Sequence, residues 1–148
     1  MLVAVVGLIF SCYQWWKKVQ LERAERLSKL INMLKKDELL KTLYMIDYSE
    51  FQYDENFHNS DNEAKIDKFL YLCEYILYLR NNNIIREKEF LFFEYDINRI
   101  IKNTGIQSYL SYLEKLSKTR EESVVYKNIL DYAKKEREKN QSCDSKGI

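Results

Sequence analysis

His58 is the only histidine in the chain, and Asp54 and Glu55 stand just before it. One imidazole beside two carboxylates, with Glu74 as a further oxygen donor, is the minimum from which a divalent-metal site is assembled. The other reading of these residues is a polar loop. A single histidine excludes a multi-histidine metal site within one chain. The nucleophile candidates Ser108, Ser111 and Cys73 have no base at a motif spacing. Glu74, Glu94 and Asp96 fall in apolar helical runs, where burial would raise a carboxyl pKa unless the group faces solvent or pairs with Lys or Arg. From this set we expect no catalytic, cofactor-binding or metal residues, and no enzyme.

A second set is aromatic. Phe51, Tyr53 and Phe57 alternate with acidic and polar residues between Ser49 and Asn62, while Tyr71, Tyr75, Tyr78, Tyr109 and Tyr112 recur in helical runs. Such side chains either fill a core with their hydroxyls at its rim or form an amphipathic patch for a protein partner. Phe51, Tyr53, Phe57, His58 and Glu74 are therefore the candidate interaction or functional residues.

The elements that must position them read as helices. Zero Pro and three Gly remove the residues on which barrel turns and phosphate-cradling loops depend. From Met1 to Trp16 no side chain is charged. Trp15 and Trp16 then suit a membrane interface, and Lys17 and Lys18 mark a cytoplasmic flank by the positive-inside rule. The expectation is a transmembrane anchor over 1–16, short of the ~20 residues of a full span. The alternative buries this segment as one helix of a bundle. Leu27, Leu30, Ile31, Leu34, Leu40, Leu43, Tyr44 and Tyr48 predict that the first helix continues to about Tyr48. Ser60 with Glu63 predicts a capped second helix to Arg80, central and apolar over most of its circumference, ended by Asn81-Asn82-Asn83. Further helices follow over about 86–102 and 106–117. A last one opens at a capping box of Thr119 and Glu122. The domain is predicted over 17–139, with a disordered tail at 140–148.

Lys and Arg total 24 against 23 Asp and Glu, a balance that argues against nucleic-acid binding through bulk charge. Three widely spaced cysteines, Cys12, Cys73 and Cys143, give neither a disulfide framework nor a zinc site and fit a reducing compartment. Arg80-Asn81 matches the Arg-Asn start of a helical ribonuclease motif, but the histidine that would do its acid-base work is missing downstream. The run Ile66 to Ile76, with Asn83-Ile84-Ile85, Phe90, Phe93 and Ser108-Tyr109-Leu110, resembles a bacterial family of uncharacterised short proteins. These have an N-terminal membrane anchor and a helical cytoplasmic domain. The resemblance covers about residues 15 to 118. It departs at Asn81-Asn82-Asn83, where a glycine-containing turn would be typical, and it implies architecture and a bacterial setting without an activity.

The sequence thus predicts an all-α protein, an N-terminal transmembrane helix continuing into a four- to five-helix bundle. It is a single-pass cell-membrane protein whose partners are the lipid bilayer and a protein or second copy, and it acts as an interaction or scaffold module. The alternatives are a membrane effector of pore-forming or phage-defence type acting by self-association, and a metal-dependent enzyme using the acidic loop.

Overall fold

A computed structural model describes the backbone of residues 2–48, 51–54 and 56–144, with side chains placed over 7–48, 51–54 and 56–141. The described residues form six helices and no strand. These are α1 (Leu2–Leu34), α2 (Asp37–Asp47), α3 (Asp61–Asn81), α4 (Glu87–Lys102), α5 (Thr104–Thr119) and α6 (Lys127–Asp144). The all-α expectation is met.

The core is built around α3, which packs against α2, α4 and α6. Ile66, Phe69, Leu70, Cys73, Ile76 and Leu77 are buried as the helical period requires, and Leu72 and Leu79 join them from the flanks. Burial on so many sides is what makes α3 central. On α4, Phe90, Phe93, Ile97, Ile100 and Ile101 form one buried stripe at three- and four-residue steps. From α5, Ile106, Tyr109 and Leu110 close the core.

Two boundaries differ from the sequence reading. The first helix ends at Leu34, and α2 restarts at Asp37 with Asp37 and Glu38 in its first turn, where carboxylates favour the positive end of a helix. A straight helix could not turn back to bury both Leu30 with Leu34 and Leu39 with Leu43 and Ile46. The break resets the helical phase, so Tyr44 and Tyr48, expected inward, are exposed. The second difference is at Thr119. It lies inside α5 with its hydroxyl bonded back to Lys115 O at 3.0 Å, so no capping box with Glu122 starts a helix there. The last helix begins at Lys127 and leaves Val125 exposed. It runs through the first residues of the expected tail to Asp144, and 145–148 lie outside the described residues.

Ion pairs join the elements. Arg23 grips Glu89 with two hydrogen bonds of 2.6 and 2.8 Å and fixes α1 to the first turn of α4. Arg99 on α4 pairs with Asp47 at the end of α2 and with Asp96 on its own helix.

The N-terminal part of α1 stands apart from this packing. Leu8, Ile9, Phe10, Trp15 and Trp16 are each more than half exposed, and burial begins only near Arg23 and Leu27. Over residues 7–16 that corrects the alternative in which this segment is a core helix. Among the described residues no helix is long and apolar enough to cross a membrane. On α1 the reason is plain, since the apolar run gives way at Tyr13-Gln14-Trp15-Trp16 and is followed by Lys17 and Lys18.

Candidate functional site

The stretch 51–60 between α2 and α3 brings most of the sequence-flagged residues together, as a lid of rings over the N-terminal end of α3 and the face of α5. Phe51 and Phe57 are buried, their rings 5.2 Å apart edge to face. Phe57 also meets Tyr109 of α5 at 4.8 Å. Phe51 packs so closely on Gly105 that a Cβ there would meet its ring at 2.9 Å. Glycine at the start of α5 is thus set by this contact. Core filling describes these two phenylalanines, and they offer no surface to a partner.

Tyr53 and His58 lie at the rim and begin a chain of polar contacts. The Tyr53 hydroxyl is 3.0 Å from His58 Nε2, and His58 Nδ1 is 3.0 Å from Glu63 Oε1. Tyr112 covers the imidazole with ring centres 4.6 Å apart. Glu63 also accepts from the Asn59 amide at 2.6 Å and from the Tyr109 hydroxyl at 3.3 Å. The same Tyr109 hydroxyl proton lies nearer Asp67 Oδ1, at 2.8 Å, so the two carboxylates share it, and Tyr126 reaches that Asp67 oxygen at 3.1 Å. One continuous network therefore runs from the rim of the lid to the start of α6.

The local sequence explains it. Ser60 caps α3 by accepting from the Glu63 amide at 3.2 Å. The Glu63 carboxylate turns back as a capping box predicts, but it takes the Asn59 amide rather than that of Ser60. Asn59 sits at φ 62°, a conformation asparagine tolerates, with its amide on Glu63 Oε2. Glu63 and Asp67, one turn apart, share a face of α3.

Electrostatics act on the carboxyl of Glu63 and on the phenols of the network. Burial acts to raise the Glu63 pKa, but hydrogen bonds from His58 and Asn59 outweigh it and hold the carboxyl below the ordinary range. The phenols of Tyr53 and Tyr109 are pushed up, first by burial and then by neighbouring carboxylates and, for Tyr53, by Tyr112. Tyr53, His58 and Glu63 have the order of a nucleophile, base and orienting carboxylate. The upward shift of the phenol opposes that role, since the reacting form would be the phenolate.

Glu74 does something the sequence did not disclose. Its Oε1 accepts from the Asn128 amide at 3.0 Å and from Asn128 Nδ2 at 2.6 Å, and its Oε2 accepts from the Ile129 amide at 2.9 Å. A carboxylate on α3 thereby caps α6 from outside, satisfying donors that a helix start leaves open. His58 and Glu74 serve separate elements and do not converge, and Glu55 lies outside the described residues. Among the described residues no group of three or more His, Cys, Asp or Glu is placed to hold a metal ion. Burial raises the Asp96 carboxyl, which Arg99 faces at 3.4 Å. Ser108 and Ser111 bond to carbonyls one turn back, and the Cys73 thiol is fully buried and pushed up by that burial.

Glu63, Asp67, Tyr109 and Tyr126 were missed as a group. The four-residue step from Glu63 to Asp67 was a legible signal, but their partners come from 42 to 59 residues away. Trp15, Trp16, Lys17 and Lys18 lie on the exposed part of α1. Comparison of the chain with protein-family models, curated proteins and solved structures gives no match in any of the three.

Proposed function

We propose that the protein is a membrane-anchored helical interaction module, with the N-terminal arm of α1 seated in the cell membrane and the bundle on its cytoplasmic side. One observation carries the reading: Leu8, Ile9 and Phe10 are successive helical residues, point three different ways and are all exposed. An amphipathic surface helix would hide one face, whereas an arm that is apolar all round suits a solvent that is itself apolar. Trp15, Trp16, Lys17 and Lys18 then fall at the boundary with water. The uncharged run 2–16 measures about 22 Å as a helix, against a hydrocarbon core of about 30 Å. Local thinning of the bilayer and lysine stems reaching outward make up the difference. The resemblance to membrane-anchored bacterial short proteins fits the same reading. A protein-facing surface is offered by Tyr71, Tyr75 and Tyr78, exposed along one side of α3. No catalytic role is assigned.

The test is to express the full chain with a C-terminal tag, wash membranes at high pH, and treat intact spheroplasts with protease. Retention with a protected tag is expected. Release into the soluble fraction overturns the anchor, and retention with a cleaved tag overturns the orientation. A second reading, an effector that acts by self-association, is favoured by the backbone between α5 and α6.

A further inference from the structure

Four described non-glycine residues adopt positive φ: Asn59, Asn83, Glu121 and Tyr126. Asparagine tolerates this region, while glutamate and tyrosine are poorly suited to it. Both of the latter lie in the connection 120–126. Glu121, at φ 55°, closes the end of α5, with its amide on Lys118 O at 3.4 Å and the Glu122 amide on Ser117 O at 3.0 Å. A glycine is the usual residue in that turn. The segment Arg120-Glu121-Glu122-Ser123-Val124-Val125-Tyr126 contains neither Gly nor Pro, and read alone it starts a helix. Local preference and observed turn therefore conflict.

What the turn achieves is the return of α6 onto α3, through contacts that are few and self-contained. Glu74 holds the Asn128 and Ile129 amides, Asn81 Nδ2 donates to Asn128 Oδ1 at 2.7 Å, and Tyr126 donates to Asp67. Ile129, Tyr132 and Ala133 supply the buried apolar side. Tyr132 also meets Phe90 and Asn98 of α4, and all of these contacts would form equally well with α3 and α4 of another copy. Short connections under strain favour that outcome, because an opened hinge loses the strain while each contact is kept.

We propose that α6 exchanges between two copies of the chain, with the hinge 120–126 opening so that each α6 docks on the partner's α3 and the left-handed turn at Glu121 is no longer needed. The exchanging surfaces lie wholly within the bundle, so the proposal does not rest on the membrane reading. It supplies a route to self-association that leaves the arm of α1 free.

Two differently tagged full-length copies, with Cys12 and Cys143 changed to Ser and Cys73 to Ala, are co-expressed and purified in detergent. One carries Asn81→Cys and the other Asn128→Cys, and a single chain carrying both reports closure within one copy. Oxidation is expected to join the two tagged copies. Adding Glu121→Gly to both removes one unfavourable left-handed residue from each of the two hinges, about tenfold apiece, and should lower the joined fraction by about ten- to a hundredfold. The proposal is overturned if the copies stay separate under conditions where the doubly substituted chain closes its own bridge. It is equally overturned if the joined fraction ignores Glu121→Gly. Loss of membrane retention alters neither outcome, since the cross-link is read in detergent.

Discussion

Phe51, Tyr53 and Phe57 in the lid and Phe10, Trp15 and Trp16 in the arm of α1 are the same kind of side chain meeting opposite fates. In the lid, the backbone bends over α5, Gly105 clears space for Phe51, and Glu63 ties down Asn59 and His58. Rings are buried there because a polar network satisfies the loop that carries them. The arm is the end of a continuous helix, Leu2–Leu34, whose backbone bonds are complete in themselves, so nothing draws it back onto the bundle. Apolar composition therefore did not decide burial. The ability of the backbone to turn did.

The largest expected effect breaks this comparison if it fails. Phe57→Ala removes a buried ring and should cost about 3–5 kcal/mol of bundle stability. Trp16→Ala should stay within about 0.5 kcal/mol, as exposed substitutions do, while weakening membrane retention. Urea unfolding in detergent compares the two. A loss at Trp16 as large as that at Phe57 would mean that the arm belongs to the core after all.

Next in size is Glu74→Ala, which strips α6 of its outside cap and leaves helix-terminal donors unpaired, at a cost of about 1–3 kcal/mol. Hydrogen exchange localises the effect: the Asn128 and Ile129 amides should lose protection first, ahead of those in α3. Uniform loss across both helices would make Glu74 a general core residue rather than the fastening of α6.

How far these contrasts were legible in the sequence depends on the range of the interaction. The stripes of α3 and α4 were readable because period and burial are local properties of one helix. The end of α3 was readable too. Asn83 takes φ 56°, its amide reaches Arg80 O and the Ile84 amide reaches Leu79 O, so asparagine performs a turn for which glycine is the usual residue. Thr119 with Glu122 misled because a capping pattern is only a local preference, and here Glu74, more than fifty residues distant, provides the cap. The break at Lys35-Lys36 was invisible for a related reason. The apolar positions on either side fit one helical period, and only the demand that α1 pack on α2 and α4 while α2 packs on α3 and α4 splits them. Of the candidate site, Tyr53 and His58 lie five residues apart in the sequence and meet at 3.0 Å. The four-residue step from Glu63 to Asp67 marks the face of α3 that receives them, but tertiary packing alone brings Tyr109 and Tyr126 onto it.

The smallest effect sharpens the comparison through pH. Hydrogen bonds from His58 and Asn59 hold Glu63 low against the opposing effect of burial, and the Arg23 pair holds Glu89 low. Each folded carboxyl thus releases its proton at a lower pH than in the unfolded chain, whose glutamates titrate near ~4.3. The stabilisation is complete above that value and is lost as pH falls through the lower folded one, because the unfolded chain then binds more protons. The Glu63 side chain is 22% exposed, so solvent screening keeps its share modest. Urea midpoints followed from pH 7 to 3 should fall for the wild-type chain and fall less steeply for Glu63→Gln. Parallel curves would remove the His58–Glu63 pairing from the acid response. Residues 1–16 contain no charged side chain, so retention of the chain on washed membranes should stay constant across the interval in which the bundle weakens. Release in step with unfolding would tie the arm to the lid and end the distinction between them.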